Sequence, residues 1–359
     1  MSFPKEPPDL VRRRVMSVLD YEPPDRLPVY DSFWPEFSDR WRRDKGLGPD
    51  ATPEDYYSVD IAVVVAREEF FPTRRRVLLE EGDVLVRDDG WGRIVRTRRG
   101  GYFYEELSHE LDDPRKLDKL SFDPPDLDLR YAEFSKAVEG EKAKRCVFCK
   151  VGGPYIRSSF VRGTEEFLVD LVRDEAFARE LVLKVAGHLV EVGKESLRRG
   201  ELWDTGVWIY DDMGSSRAPM FSPRTFERVF YPAYRWMVGE LKGAGAKKVV
   251  LHSDGNIEPF LDMLVEAGID AINPVEPQAG MDLVRLKEKY AGKLAFVGGV
   301  DNAHVLPSGD PKAIRSHILQ LCEAGRDGGV ILGAHSIGPD VSTEAYEVYR
   351  GTALRFKAT

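Results

Sequence analysis

From residue 145 onward the chain alternates short apolar runs with amphipathic stretches of helical length, and this alternation limits the fold more than any other feature. The apolar runs are residues 146–151, 206–210, 248–252, 271–273, 294–297 and 329–332. Between them lie residues 165–172, 177–197, 223–242, 257–267, 283–290 and 311–324, whose apolar positions recur at helical spacing. Strands separated by a helix cannot form hairpins; they lie parallel, in a sheet that the helices cover. Two earlier runs, residues 27–31 and 59–65, bring the strands to eight. The pattern predicts a (β/α)8 barrel, a TIM-type fold in the α/β class. A doubly wound open sheet is the alternative, because periodicity does not report closure.

The first 145 residues are less regular and rich in Pro, Asp and Arg. A helix is predicted over residues 8–19, stopped by Pro23-Pro24. Residues 82–106 read as β-hairpins: Val84-Leu85-Val86, Arg93-Ile94-Val95 and Tyr102-Phe103-Tyr104 are punctuated by Asp89-Gly90 and Gly100-Gly101. The expected organisation is one barrel domain over residues 1–359, with an N-terminal extension. Its hairpin insertion either caps the pocket or forms a homodimer contact.

Composition narrows the partners. With 52 Lys+Arg against 61 Asp+Glu, the net charge of −9 argues against a nucleic-acid partner. No run approaches the roughly 18 apolar residues of a membrane span, and the N-terminus lacks an apolar signal core. Cys146, Cys149 and Cys322 cannot all pair, which suits a reducing compartment; a cytoplasmic protein is the default expectation. Cys146-x-x-Cys149 falls inside a strand, where that spacing sends the thiols to opposite faces, so packing is the expected role.

In a barrel, functional side chains gather where strands end. Asp211 and Asp212 follow one strand, and His252, Ser253 and Asp254 the next. Then come Glu276 between two prolines, Gly298-Gly299-Val300-Asp301, and Gly333-Ala334-His335. The two-residue strand period places His252 and Asp254 on one side, and imidazole with carboxylate ligates zinc. Glu276 and His335 complete a candidate metal set of His252, Asp254, Glu276 and His335. The metal-free alternative has His252 hydrogen-bonded to substrate or to a carboxylate. Of Asp211 and Asp212, one points inward as a general acid, base or substrate acceptor. Asp211, Asp212, His252 and His335 are the catalytic candidates; Trp34, Trp208, Tyr210 and Asp301 are the substrate-lining ones.

These junctions resemble the uroporphyrinogen decarboxylase superfamily. The resemblance is carried by Tyr210-Asp211-Asp212-Met213-Gly214 leading to Phe221-Ser222-Pro223, by Leu251-His252-Ser253-Asp254-Gly255-Asn256, by Gly298-Gly299-Val300-Asp301, and by the stretch from Leu332 through His335 to Asp340. Arg26-Leu27-Pro28-Val29 and Gly152-Gly153-Pro154 extend it over nearly the whole chain. It implies a (β/α)8 barrel with the site at the strand C-termini, and either decarboxylation or cobamide-dependent methyl transfer. The decarboxylases carry arginines just after the first strand, where this chain reads Tyr30-Asp31-Ser32-Phe33-Trp34-Pro35. The methyltransferase branch binds zinc through His-x-Cys and a later Cys, where this chain has His252-x-Asp254 and a position near His335. The resemblance therefore implies methyl transfer from a small methoxy or methylamine substrate to a corrinoid protein, with Asp212 as proton donor or substrate acceptor. The alternatives are a decarboxylase of a porphyrinogen or smaller carboxylate, using Asp211 or Asp212 as acid, and a non-catalytic tetrapyrrole or corrinoid binder lined by Phe33, Trp34, Trp91 and Trp208.

Overall fold

Runs of β-branched and aromatic residues fix the barrel strands. The computed structural model describes residues 3–358. In chain order its strands are β1 (Ile61–Val65), β2 (Arg76–Glu81), β3 (Val84–Asp88), β4 (Arg93–Arg98), β5 (Tyr104–His109), β6 (Cys146–Gly152), β7 (Gly206–Tyr210), β8 (Lys248–His252), β9 (Ala271–Val275), β10 (Ala295–Gly299) and β11 (Val330–Gly333). Seven of them form one parallel sheet in the order β1-β6-β7-β8-β9-β10-β11. Residues 28–30 close it: the Tyr30 N–H donates to the Leu332 carbonyl at 2.9 Å, and the Asp60 N–H donates to that of Val29 at 2.9 Å. The sheet is a curled, TIM-like barrel, not an open doubly wound one. The closing segment pairs through isolated bridges and is no full strand, since Pro28 has no N–H to give the ladder.

Alternation along the strands divides the core in two. Cys146, Phe148, Trp208, Val250, Ala271, Ala295, Val297 and Ile331 fill the barrel interior. Val15, Val18 and Leu19 of the helix Pro8–Leu19 pack against them at the strands' N-terminal end. Cys149 instead joins the layer between the sheet and the outer helices. The two thiols thus face opposite sides, both buried, and burial pushes Cys149 up to about 12. Gly325, Gly328 and Gly329 precede the last barrel strand; at Gly328 (φ +90°) a Cβ would meet the Glu22 carbonyl at 2.6 Å, so only glycine fits.

The insertion is larger than the sequence pattern predicts. It is a four-stranded antiparallel sheet, β2-β3-β4-β5, spanning residues 76–109. Its first strand, Arg76-Val77-Leu78-Leu79-Glu80-Glu81, is exposed throughout and has no inside–outside alternation to betray it. Among the described residues, no helix is long and apolar enough to cross a membrane.

Candidate functional site

The site grows out of strand parity. On β7, Trp208 faces the barrel interior, so Tyr210 and Asp212 continue that face and Asp211 takes the other. On β8 the interior residue Val250 is followed on the same face by His252 and Asp254. Asn273 of β9 and His335 beyond β11 reach the same mouth.

Three donor atoms converge: one each from Asp212, His252 and Asp254, all within 4.8 Å of one another. The His252 Nε2 atom lies 3.2 Å from Asp254 Oδ1 and 3.7 Å from Asp212 Oδ1. His335 Nε2 approaches the same Asp254 Oδ1 at 3.2 Å. The orientation of His252 is fixed from behind. The amide of Asn273 donates to the Val297 carbonyl, leaving its oxygen to accept from His252 Nδ1 at 2.7 Å. The Nε2 atom of the ring then faces the acids. The Tyr210 ring stacks on the imidazole at 4.2 Å, and its hydroxyl pairs with that of Tyr30 at 3.1 Å.

The electrostatics are those of crowded acids. Burial raises the Asp212 carboxyl above the ordinary range, and the charge of Asp254 adds to the effect. Burial also works to raise Asp254, but the imidazoles of His252 and His335 beside it outweigh that and hold the carboxyl well below the ordinary range. Burial works to lower His335, and Asp254 reverses that, so the imidazole stays protonated above its usual value. Asp254 Oδ1 is nonetheless a buried oxygen that receives no well-directed hydrogen bond. A carboxylate oxygen close to two imidazole nitrogens yet bonded to neither matches donors arranged around a shared cation. The residues fit a divalent metal.

The other candidates fall elsewhere. Glu276 lies outside the three-residue donor group. Its Oε2 accepts from the Gly255 N–H at 2.5 Å, and its Oε1 from Gln278 at 2.8 Å, with His335 Nδ1 at 3.5 Å. Glu276 thus backs His335. Asp211 turns away from the mouth and is fully buried. It accepts from the N–H groups of Tyr155 and Ile156, at the start of the helix Pro154–Arg162, and from the Tyr234 hydroxyl at 2.7 Å. Burial pushes its carboxyl up to about 7 against those bonds. Gly153 is required here, because a Cβ would meet Asp211 at 2.0 Å. Trp208 is interior core beneath Tyr30, at 4.9 Å. Asp301 caps its own turn through the Ala303 and His304 N–H groups. Trp34 is half exposed and packs against Tyr102 of the hairpin sheet at 5.2 Å.

Sequence reading passed over Asn273, Tyr30 and, most of all, Lys150. Lys150 continues the inward series Cys146, Phe148 on β6. Its ammonium lies 4.7 Å from the centre of the Tyr210 ring.

The family model described as uroporphyrinogen decarboxylase (URO-D) matches residues 86–353. Among solved structures, the chain is similar to a methyltransferase from Methanosarcina mazei, at 15% identity and a TM-score of 0.70, covering 96% of this chain and 98% of that one. At that identity the likeness shows a shared fold. A B12-independent methionine synthase from Shewanella sp. W3-18-1, in complex with selenomethionine, also matches, at 13% identity, a TM-score of 0.40 and 93% coverage of each chain. No curated protein matches the sequence.

Proposed function

The chain belongs to the uroporphyrinogen decarboxylase family, and from that premise we propose that it is a methyltransferase moving a methyl group from a small methoxy or methylamine-type substrate to a corrinoid carried by a separate protein. The observation that carries this reading is the convergence of Asp212, His252 and Asp254 on one point, with Asp254 Oδ1 left without a hydrogen bond. The methyltransferase from Methanosarcina mazei has the same fold.

A zinc ion held by Asp212, His252 and Asp254 would supply a Lewis acid to polarise the substrate's oxygen or nitrogen. The protein's own groups do the rest. Asn273 sets the His252 tautomer, and Tyr210 holds the ring in place. His335, between Asp254 and Glu276, keeps a proton at Nε2 and gives it to the oxygen or nitrogen as the methyl bond breaks. Relative to the sequence expectation, Asp212 joins the ligands while Glu276 becomes the brace of the acid. The site's cations count against a porphyrinogen with many carboxylates. Arg40, the first arginine after the closing segment, directs its guanidinium to the carbonyls of Pro339 and Val341. Arg157 is bonded to Glu68 at 2.6 Å.

The test uses purified protein with reduced cobalamin and a panel of methoxy and methylamine donors. The expected result is a methylcobalamin spectrum that depends on zinc, is abolished by a chelator and is restored by adding the metal. Carbon dioxide release from uroporphyrinogen, with no methyl transfer from any donor, would sink the proposal.

A further inference from the structure

Lys150 is a partly buried ammonium whose placement the chemistry above does not use. Its side chain is 23% exposed and stands on the inward face of β6. Its nearest carboxylate is Glu68, with Oε1 at 3.7 Å, beyond hydrogen-bond range. Glu68 is already engaged: Oε1 accepts from Arg157 at 2.6 Å, and Oε2 accepts from the Gly152 N–H. A lysine enters a barrel interior only at a desolvation cost, which a single long ion pair offsets poorly. Burial accordingly lowers the Lys150 ammonium below its usual value, with Glu68 opposing. The ammonium lies against the same Tyr210 ring that stacks on His252. The cation and the acid–imidazole cluster therefore flank one aromatic ring.

We propose that Lys150 is the anchor for a carboxylate on the substrate, so that the donor is a small monocarboxylic acid. Its carboxylate sits at Lys150, and its methyl-bearing oxygen or nitrogen reaches the cluster of Asp212, His252, Asp254 and His335. This rests on the methyl-transfer reading of the same site. Arg157 is committed to Glu68, so the one available ammonium accepts one anionic group and the neighbouring Asp212 repels a second. The anchor thus selects a single carboxylate and rejects both neutral donors and polyacids. Lys150 is a substrate-binding residue here and takes no part in bond breaking.

The experiment compares two scaffolds with the amides that lack the carboxylate charge: 4-methoxybenzoate against 4-methoxybenzamide, and N,N-dimethylglycine against its amide. Binding is measured by calorimetry on the zinc-loaded protein with no methyl acceptor present. In the wild type, at least one carboxylate binds tenfold or more tighter than its amide. Lys150→Gln abolishes that ratio, weakening the carboxylate ten- to hundredfold and leaving the amide unchanged, while Lys150→Arg keeps most of it. Zinc content and melting temperature verify that each variant is folded, and Lys150→Met repeats the test with an apolar stem of similar length. A Lys150→Gln protein that retains the preference overturns the proposal, as does a wild type that prefers neither carboxylate. The binding ratio is read without turnover. Failure of methyl transfer therefore strikes only the functional reading, whereas methyl transfer with no carboxylate preference strikes only the anchor.

Discussion

The two ends of the barrel handle charge in opposite ways. At the N-terminal end, Arg14 and Arg26 meet Glu6, Asp25 and Asp60 in a closed network. Arg26 holds Asp60 through two bonds of 2.7 and 2.9 Å, and Arg14 holds Asp25 through two bonds of 2.6 and 2.8 Å. Asp60 also accepts from the Val29 N–H at 2.8 Å, pinning the closing segment. At the C-terminal end, Asp212, Asp254 and Glu276 face only two imidazoles, at 3.2–3.7 Å. Each end sets three acids against two bases, but the first is matched bond for bond by permanently charged guanidinium groups, whereas the second is loosely paired with imidazoles. The Asp60 carboxylate, which serves stability, is satisfied within the fold, while the Asp254 oxygen at the mouth is not. A cavity of about 230 Å³ lined by Glu6, Arg26, Asp60 and Arg145 sits at the matched end.

The sharpest way to break this contrast is to truncate one group at each end. Asp254→Ala removes the carboxylate that both imidazoles approach. Methyl transfer is expected to fall by about a thousandfold or more, since a metal ligand should cost more than the tenfold to hundredfold typical of the groups behind the ligands. Zinc per chain, read by elemental analysis, should fall with it, while the urea midpoint of the metal-free protein falls only modestly, because the carboxylate that the two imidazoles keep ionised is part-exposed. Asp60→Ala should do the reverse. It removes the two-bond partner of the buried Arg26, which keeps only Glu6, while Arg14 keeps Asp25 and Glu6, at a cost of up to about 3–5 kcal/mol. Urea titration measures that loss, and turnover per folded molecule should stay as it was. An Asp60→Ala protein of undiminished stability would erase the distinction between the two ends.

Much of this contrast was legible in the sequence, though unevenly. The strands at residues 206–210 and 248–252 announce themselves by β-branched and aromatic content, and the structure keeps both to the residue. His252 and Asp254 follow from the two-residue period alone. The period also says that only one of Asp211 and Asp212 faces inward. Which one requires knowing that Trp208 is interior, a fact of packing and not of pattern. Glu276 illustrates the limit, since the 3-10 turn Pro277–Ala279 that follows it bends a loop with no periodicity to read. Lys150 shares the parity of Cys146 and Phe148, but that this face of the strand is the interior one is again a fact of packing. The strand Arg76–Glu81 was unreadable because exposure on both faces erases alternation.

A smaller effect comes from the wall behind Lys150. His188 bonds through Nε2 to the Glu68 carbonyl at 3.2 Å and packs edge-on to Phe70 and Phe122. Burial pulls its pKa from 6.5 down to about 4. Between those values the unfolded chain binds the proton that the folded chain refuses. Stability is therefore fully present above pH 6.5 and falls as the pH drops toward 4, by up to about 3 kcal/mol. Urea midpoints at pH 7 and pH 5 measure this, and His188→Gln should flatten that part of the profile. An unchanged slope in the variant would assign the acid sensitivity to the carboxylates of the two ends.

The smallest expected effect is also the one that separates the two ends most cleanly, because its sign depends on metal. Asp212 is raised by burial and by the charge of Asp254, so in the metal-free protein its ionised form is a liability. Asp212→Asn removes the charge while keeping the shape. At pH 7.5 in chelator the variant should melt a few degrees higher than the wild type, since about 1 kcal/mol moves the midpoint of a chain of this size by 2–4 °C or less. With zinc the order should reverse, because the ion stabilises the folded wild type in proportion to its affinity and loses a ligand in the variant. No such crossing is possible at the matched end, where Asp60→Asn weakens the Arg26 pair whether or not metal is present. A melting order for Asp212→Asn that zinc does not reverse would mean that the crowded acids at the barrel mouth are not a metal site.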